Sequence, residues 1–80
     1  MRSVAERVQA TIADKLGVET DVVTPRARLI EDLSADSLDL ADLFMGLSEE
    51  FDVPIPPDEC EALETVRDVV RYLRGKGVDG

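Results

Sequence analysis

The sequence predicts an all-α fold: three main helices, a short third helix before the last, and a long first loop. Three observations carry this. Eighty residues make a single domain, 1–80, with a small core. Apolar residues are 44% of the chain, yet only Phe44, Phe51 and Tyr72 are aromatic. The core is therefore Val, Leu, Ile and Ala, which suits packed helices better than a sandwich. Finally, the apolar positions recur at helical spacing in three segments.

The first helix spans Ser3 to Leu16. Ser3 with Glu6 three residues on is a capping box. Val4, Val8, Ile12 and Leu16 make one slowly drifting apolar face, and Gly17 is a C-terminal stop. A connection from Val18 to Ala35 follows, with Pro25 inside it. Such a length is unusual in a small domain. Its apolar residues Val22, Val23, Leu29, Ile30 and Leu33 are expected to tuck it against the core.

The second helix spans Ser37 to Phe51, with Asp36 as N-cap. Leu40, Leu43, Phe44, Leu47 and Phe51 form its core face, and Pro54 is expected to end the element. In "VPIPPDECEAL" the prolines exclude helix up to Pro56. Pro57 suits the first turn of a short helix over Asp58 to Ala62. The last helix opens at Thr65, with Asp68 three residues on and Val66, Val69, Val70 and Leu73 as its apolar face. The terminal GKGVDG, about 75–80, is expected to fray.

Charge is segregated. Between Leu29 and Val66 lie twelve acids and no Lys or Arg, so that segment carries −12 and the flanks +3. Such a field repels nucleic acid and anionic membranes and attracts basic protein surfaces. The lone Cys60 excludes an intramolecular disulfide and fits a reducing compartment. The N-terminus has no apolar run long enough for a signal or membrane segment, so a cytoplasmic protein without membrane insertion is expected. Cys60 is read as a small, half-buried filler with nothing to activate it.

The chain has no histidine, which excludes a serine–histidine hydrolase. In the acidic stretch "DLSADSLDLAD", Asp32, Ser34 and Asp36 fall at calcium-loop positions. Ser37 stands where the turn needs glycine, and Leu43 stands where the bidentate acid belongs, so no metal site is expected. The field around Ser37 disfavours an alkoxide, so Ser37 is not a nucleophile of the chain's own catalysis. Two readings remain. Ser37 is a polar first-turn residue, or it is a hydroxyl that other enzymes modify, at a helix start that favours a phosphate. Leu38 and Met45 lie nearly opposite the core face, flanked by Asp42 and Glu49. They are scattered surface residues, or a docking strip with a greasy centre and acidic frame.

The segment "EDLSADSLDLADLFMGLSEEFDVPIP", with "LETVRDVVRYL" after it, resembles the acyl carrier proteins of dissociated bacterial fatty-acid synthesis. The resemblance covers nearly the whole chain. It implies a four-helix bundle and no enzyme activity. It implies that Ser37, between Asp36 and Leu38, receives 4′-phosphopantetheine from coenzyme A through a phosphopantetheinyl transferase. The thiol of that group holds acyl chains as thioesters. Carried over by position, Leu38, Asp39, Ala41, Asp42, Met45, Glu49 and Glu50 match the family's recognition face. Ile55 would border the entrance for the acyl chain. The implied partners are that transferase, ketoacyl synthases and other acyl-processing enzymes with basic docking surfaces, met by a monomeric carrier.

The chain departs from the family at Ser34 (usually glycine), Ala41 (a larger aliphatic), Asp42 (glutamate), Gly46 (alanine) and Ser48 (an acid). These departures keep a specialised carrier, for a polyketide or a modified fatty acid, among the expectations. From another class, an acidic interaction adaptor with Ser37 as a mere cap also stands.

Overall fold

A computed structural model describes residues 3–78. Four α-helices form: α1, Val4–Leu16; α2, Ser37–Phe51; α3, Pro57–Cys60; and α4, Val66–Gly75. α1 packs against both α2 and α4. Val8, Ile12, Leu43, Leu47, Val69 and Leu73 are fully buried at the centre. Burying a Val or Leu side chain contributes about 1.5–3 kcal/mol. A helix cap contributes about 1 kcal/mol. Packing therefore holds the bundle, and the caps set where α1, α2 and α4 begin.

The capping residues stand as expected. Ser3 and Glu6 make the capping box of α1, and Gly17 (φ 66°) ends it. Thr65 Oγ1 accepts from the Asp68 N–H at 3.1 Å, and the Asp68 carboxylate accepts from the Thr65 N–H at 3.1 Å. α2 ends before Pro54: Asp52 turns into the left-handed region (φ 55°). The Val53 N–H then donates back to the Ser48 carbonyl at 3.1 Å, a Schellman closure that stops the helix without proline. α3 begins at Pro57 and lasts one turn, shorter than Asp58 to Ala62, because i→i+3 bonds from Ala62 and Leu63 tighten its end.

The first loop is ordered by partners far along the chain. Leu29 N–H donates to the Glu64 carbonyl at 2.9 Å, Val66 N–H to Ala27 at 3.1 Å and Arg67 N–H to Pro25 at 2.9 Å. A 3₁₀ turn over Thr20–Val22 is held by Gln9, whose amide donates to the carbonyls of Thr20 (2.6 Å) and Val23 (3.1 Å). Val23, Leu29 and Leu33 are buried, but Val22 (49% exposed) and Ile30 (60% exposed) are not. Each stands next to a residue already turned inward, and neighbours in a turn or bridge cannot share one face.

Gly75 is helical, Gly77 (φ 95°) turns the backbone, and Val78 N–H donates to the Leu73 carbonyl at 3.1 Å. Val78 packs half-buried against the core. Residues 79 and 80 of the expected frayed stretch lie outside the described residues.

Ser34 adopts φ 59° just before α2. A non-glycine residue is strained there by about 1–2 kcal/mol. The departure from glycine at this position therefore acts on the turn's backbone. Ser34→Gly is expected to stabilise the protein by roughly 1 kcal/mol. That is a rise of about 4–8 °C in Tm for a domain of this size, read by thermal melting.

Candidate functional site

Ser37 is the first residue of α2 and is exposed. Asp36 caps the helix: its Oδ1 accepts from the Asp39 N–H at 2.8 Å. Asp39 answers, its Oδ2 accepting from the Asp36 N–H at 3.2 Å. The two acids beside Ser37 thus complete a capping box. They are spent on the backbone rather than aimed at the hydroxyl. The Leu40 N–H donates to the Asp36 carbonyl at 2.9 Å. Of the four first-turn N–H groups that a helix leaves unpaired, those of Ser37 and Leu38 therefore remain for a bound anion. The D-x-x-D spacing is the signal that could have revealed this box; from the sequence, Asp36 is expected as N-cap and Asp39 only as an acid of the recognition face.

The expected recognition residues divide into two sets. Leu38 (80% exposed) and Met45 (62% exposed) stand on the outer face of α2. At ~100° per residue, Asp42 and Glu49 share that face, and Ala41 lies beside it. Glu50 faces α1 instead, with Oε1 4.0 Å from Arg7 Nη2. Arg7 in turn lies over the Phe51 ring at 4.5 Å. Asp42 is exposed, with Lys15 Nζ 4.0 Å away. A methyl on Gly46 would stand 2.6 Å from Lys15 Cε, so the glycine gives this lysine its path across α2.

A groove of about 600 Å³ runs between α2 and α3. Ser37 lines it, together with Leu40, Ala41, Phe44, Met45 and Ile55. Leu40 is half-buried here rather than part of the sealed core. Ser48 and Cys60 line the groove too. The Cys60 thiol donates to the Ile55 carbonyl at 3.6 Å. Burial pushes its pKa up, with Asp58 and Glu59 adding to that, so it stays a protonated thiol.

One contact that the sequence did not reveal holds α3 in place. Tyr72, on α4, donates its hydroxyl to Glu59 Oε2 at 2.7 Å, with the Pro54 carbonyl 3.4 Å away. The two side chains are thirteen residues apart, and no local pattern joins them. Lys76 Nζ sits 5.4 Å from the ring centroid.

The small helical bundle thus presents an exposed hydroxyl at a helix start, beside an apolar groove. A family model described as "Phosphopantetheine attachment site" matches residues 6–73. An acyl carrier protein of Akkermansia muciniphila is 51% identical over 71 residues, 89% of each chain. One from Thermosynechococcus vestitus is 48% identical over 73 residues, covering 91% of this chain and 90% of that one. Among solved structures, an acyl carrier protein candidate from Anaplasma phagocytophilum superposes with a TM-score of 0.85 at 30% identity. That match covers 96% of this chain and 91% of the other. The acyl carrier protein of Enterococcus faecalis gives 0.75 at 30% identity, covering 90% and 91%.

The chain belongs to the acyl carrier protein family. It is a carrier, not an enzyme, its cofactor is 4′-phosphopantetheine, and it interacts with acyl-processing enzymes. Among the described residues no helix is long and apolar enough to cross a membrane.

Glu59 pushes the Tyr72 pKa up to about 12 through their hydrogen bond. The folded state therefore keeps the phenolic proton above the ordinary value. The contact is intact below about pH 10 and is lost as pH rises through about 12. Phenolate absorbance is expected to titrate near 12. In Glu59→Gln the midpoint is expected to move back toward about 10.

Proposed function

We propose that Ser37 is the residue that carries 4′-phosphopantetheine, and that the protein shuttles acyl thioesters between the enzymes of fatty-acid synthesis. The observation that carries this is the placement of Ser37. Among the described residues, it joins an exposed helix start with two unpaired N–H groups to the lining of the α2–α3 groove.

The prosthetic group, when bound, supplies a terminal thiol for thioester formation. The residues of the chain do the rest. Asp36 and Asp39 fix the backbone of the first turn, which holds Ser37 at the exposed start of α2. The free N–H groups and the helix dipole favour the phosphodiester at that hydroxyl. Leu40, Phe44 and Ile55 give an acyl chain an apolar wall. Leu38 and Met45 make a small greasy contact, and Asp42 and Glu49 frame it for basic enzymes. Asp39 and Glu50 add to the same negative field from the flank. Contacts of this kind associate fast and are weakened by salt, which suits a carrier that must leave each enzyme. The partners in this reading are the phosphopantetheinyl transferase and ketoacyl synthases. The protein acts as a monomer in the cytoplasm, where Cys60 remains a free thiol.

A second reading, a carrier for polyketides or modified fatty acids, is favoured by Ala41. Its short side chain lines the groove beside Ser37 and leaves room there that a larger aliphatic would fill.

Incubation with coenzyme A and a pantetheinyl transferase is expected to add the mass of one phosphopantetheine to the chain. Ser37→Ala is expected to gain none. An unchanged intact mass for the wild-type chain, or loading that survives Ser37→Ala, would contradict the proposal.

A further inference from the structure

Arg67, Arg71 and Arg74 recur at i, i+4 and i+7 on α4. At ~100° per residue they fall within an arc of about 60°. All three are exposed. Exposed Arg26 stands nearby, because the Arg67 N–H is bonded to the carbonyl of its neighbour Pro25 at 2.9 Å. Among the described residues, none of these four arginines has a carboxylate within 4.0 Å, whereas Arg7, Lys15 and Arg28 do. The acid nearest in sequence is committed elsewhere: Asp68 Oδ2 accepts from the backbone N–H groups of Glu64 and Thr65.

Beside this stripe, a groove of about 260 Å³ runs between α1 and α4. Buried Val23, Val66 and Val70 make its floor, and exposed Arg67 and Arg74 stand on one rim. Glu6 lies on the α1 side, where its Oε1 accepts from Ser3. α1 packs between this helix and α2, so the groove and the outer face of α2 are separate surfaces.

We propose that the α1–α4 groove and its arginine rim are a second docking surface, opposite in sign to α2. It suits an acidic protein segment that carries a small aliphatic side chain. The guanidinium forks meet carboxylates in two-point contacts, and the recessed floor takes the aliphatic group. A bilayer would instead need apolar side chains that project outward. A nucleic acid, read through phosphates and base edges, has no aliphatic side chain to fill the apolar floor. A second copy could offer its own α2, but that contact would cover the face that enzymes read. The opposite polarity lets an acidic partner hold the carrier by α4 while basic enzymes meet α2.

The test uses the full, isotope-labelled chain. The probes are a synthetic peptide alternating glutamate with leucine, its lysine counterpart, and phosphatidylglycerol vesicles. The glutamate peptide is expected to shift the amides of Gln9 and Val66 to Arg74, leaving Leu38 to Glu49 unmoved. Arg67→Glu/Arg74→Glu is expected to weaken that binding about tenfold, through two reversed contacts. Its circular dichroism and its loading at Ser37 are expected to stay as in the wild type. Four results would overturn the proposal: no binding of the glutamate peptide, shifts confined to another face, tighter binding to vesicles than to peptide, or self-association that the double variant abolishes.

Discussion

The backbone bonds that tie the first loop to the start of α4 set the geometry of everything near Ser37. Leu29, Val66 and Arg67 each donate across them, at 2.9, 3.1 and 2.9 Å. A free loop of this length would carry unpaired polar backbone and could not lie against a core. Pairing with residues 64–67 satisfies it and buries Ala27 and Leu29. Local turns carry the order onward: Leu33 N–H donates to the Arg28 carbonyl at 3.0 Å and Ala35 N–H to Leu29 at 3.0 Å. The Ser34 turn and the Asp36 cap follow directly. The pose of Ser37 thus depends on contacts nearly thirty residues away in sequence.

Charge and apolar contact are then distributed over separate faces. The acids nearest Ser37 serve the backbone first, through the Asp36–Asp39 box. Glu50 and Asp42 lie within reach of Arg7 and Lys15 on α1. Exposed pairs of this length contribute about 0–1 kcal/mol and are screened by salt, so they bias the field without locking the surface. The outer strip of Leu38 and Met45 stays open. α3, one turn long and without a fully buried residue, is held by the Tyr72–Glu59 hydrogen bond and the half-buried Cys60. It is the wall of the groove with the least to hold it.

Most of the helical fold was legible because its determinants are local. The serine, threonine and aspartate caps, the 3.6-residue apolar rhythm of α2, and Gly17 all act within a turn or two. The loop was not legible in the same way. Ala27 and Leu29 find their partners at residues 64–66, and no periodicity encodes that pairing. Val22 and Ile30 point outward because Val23 and Leu29 already occupy the inward positions. Ser34 hid its positive φ because a serine there does not advertise it as glycine would. At the site, Ser37 starts α2, Leu38 and Met45 are exposed on its outer face, and Ile55 lines the groove. Glu50 does not join their face, which its angular position on α2 implies once the helix is drawn.

Amide hydrogen exchange on the full chain tests most directly whether the loop–α4 pairing governs the site. Exchange from a bonded amide requires the bond to open. The N–H groups of Leu29, Val66 and Arg67 should exchange as slowly as those of Leu43 and Val69 in the core, and far more slowly than those of α3. Leu29 and Val66 exchanging at the rate of an exposed loop, with the core still protected, would contradict the account.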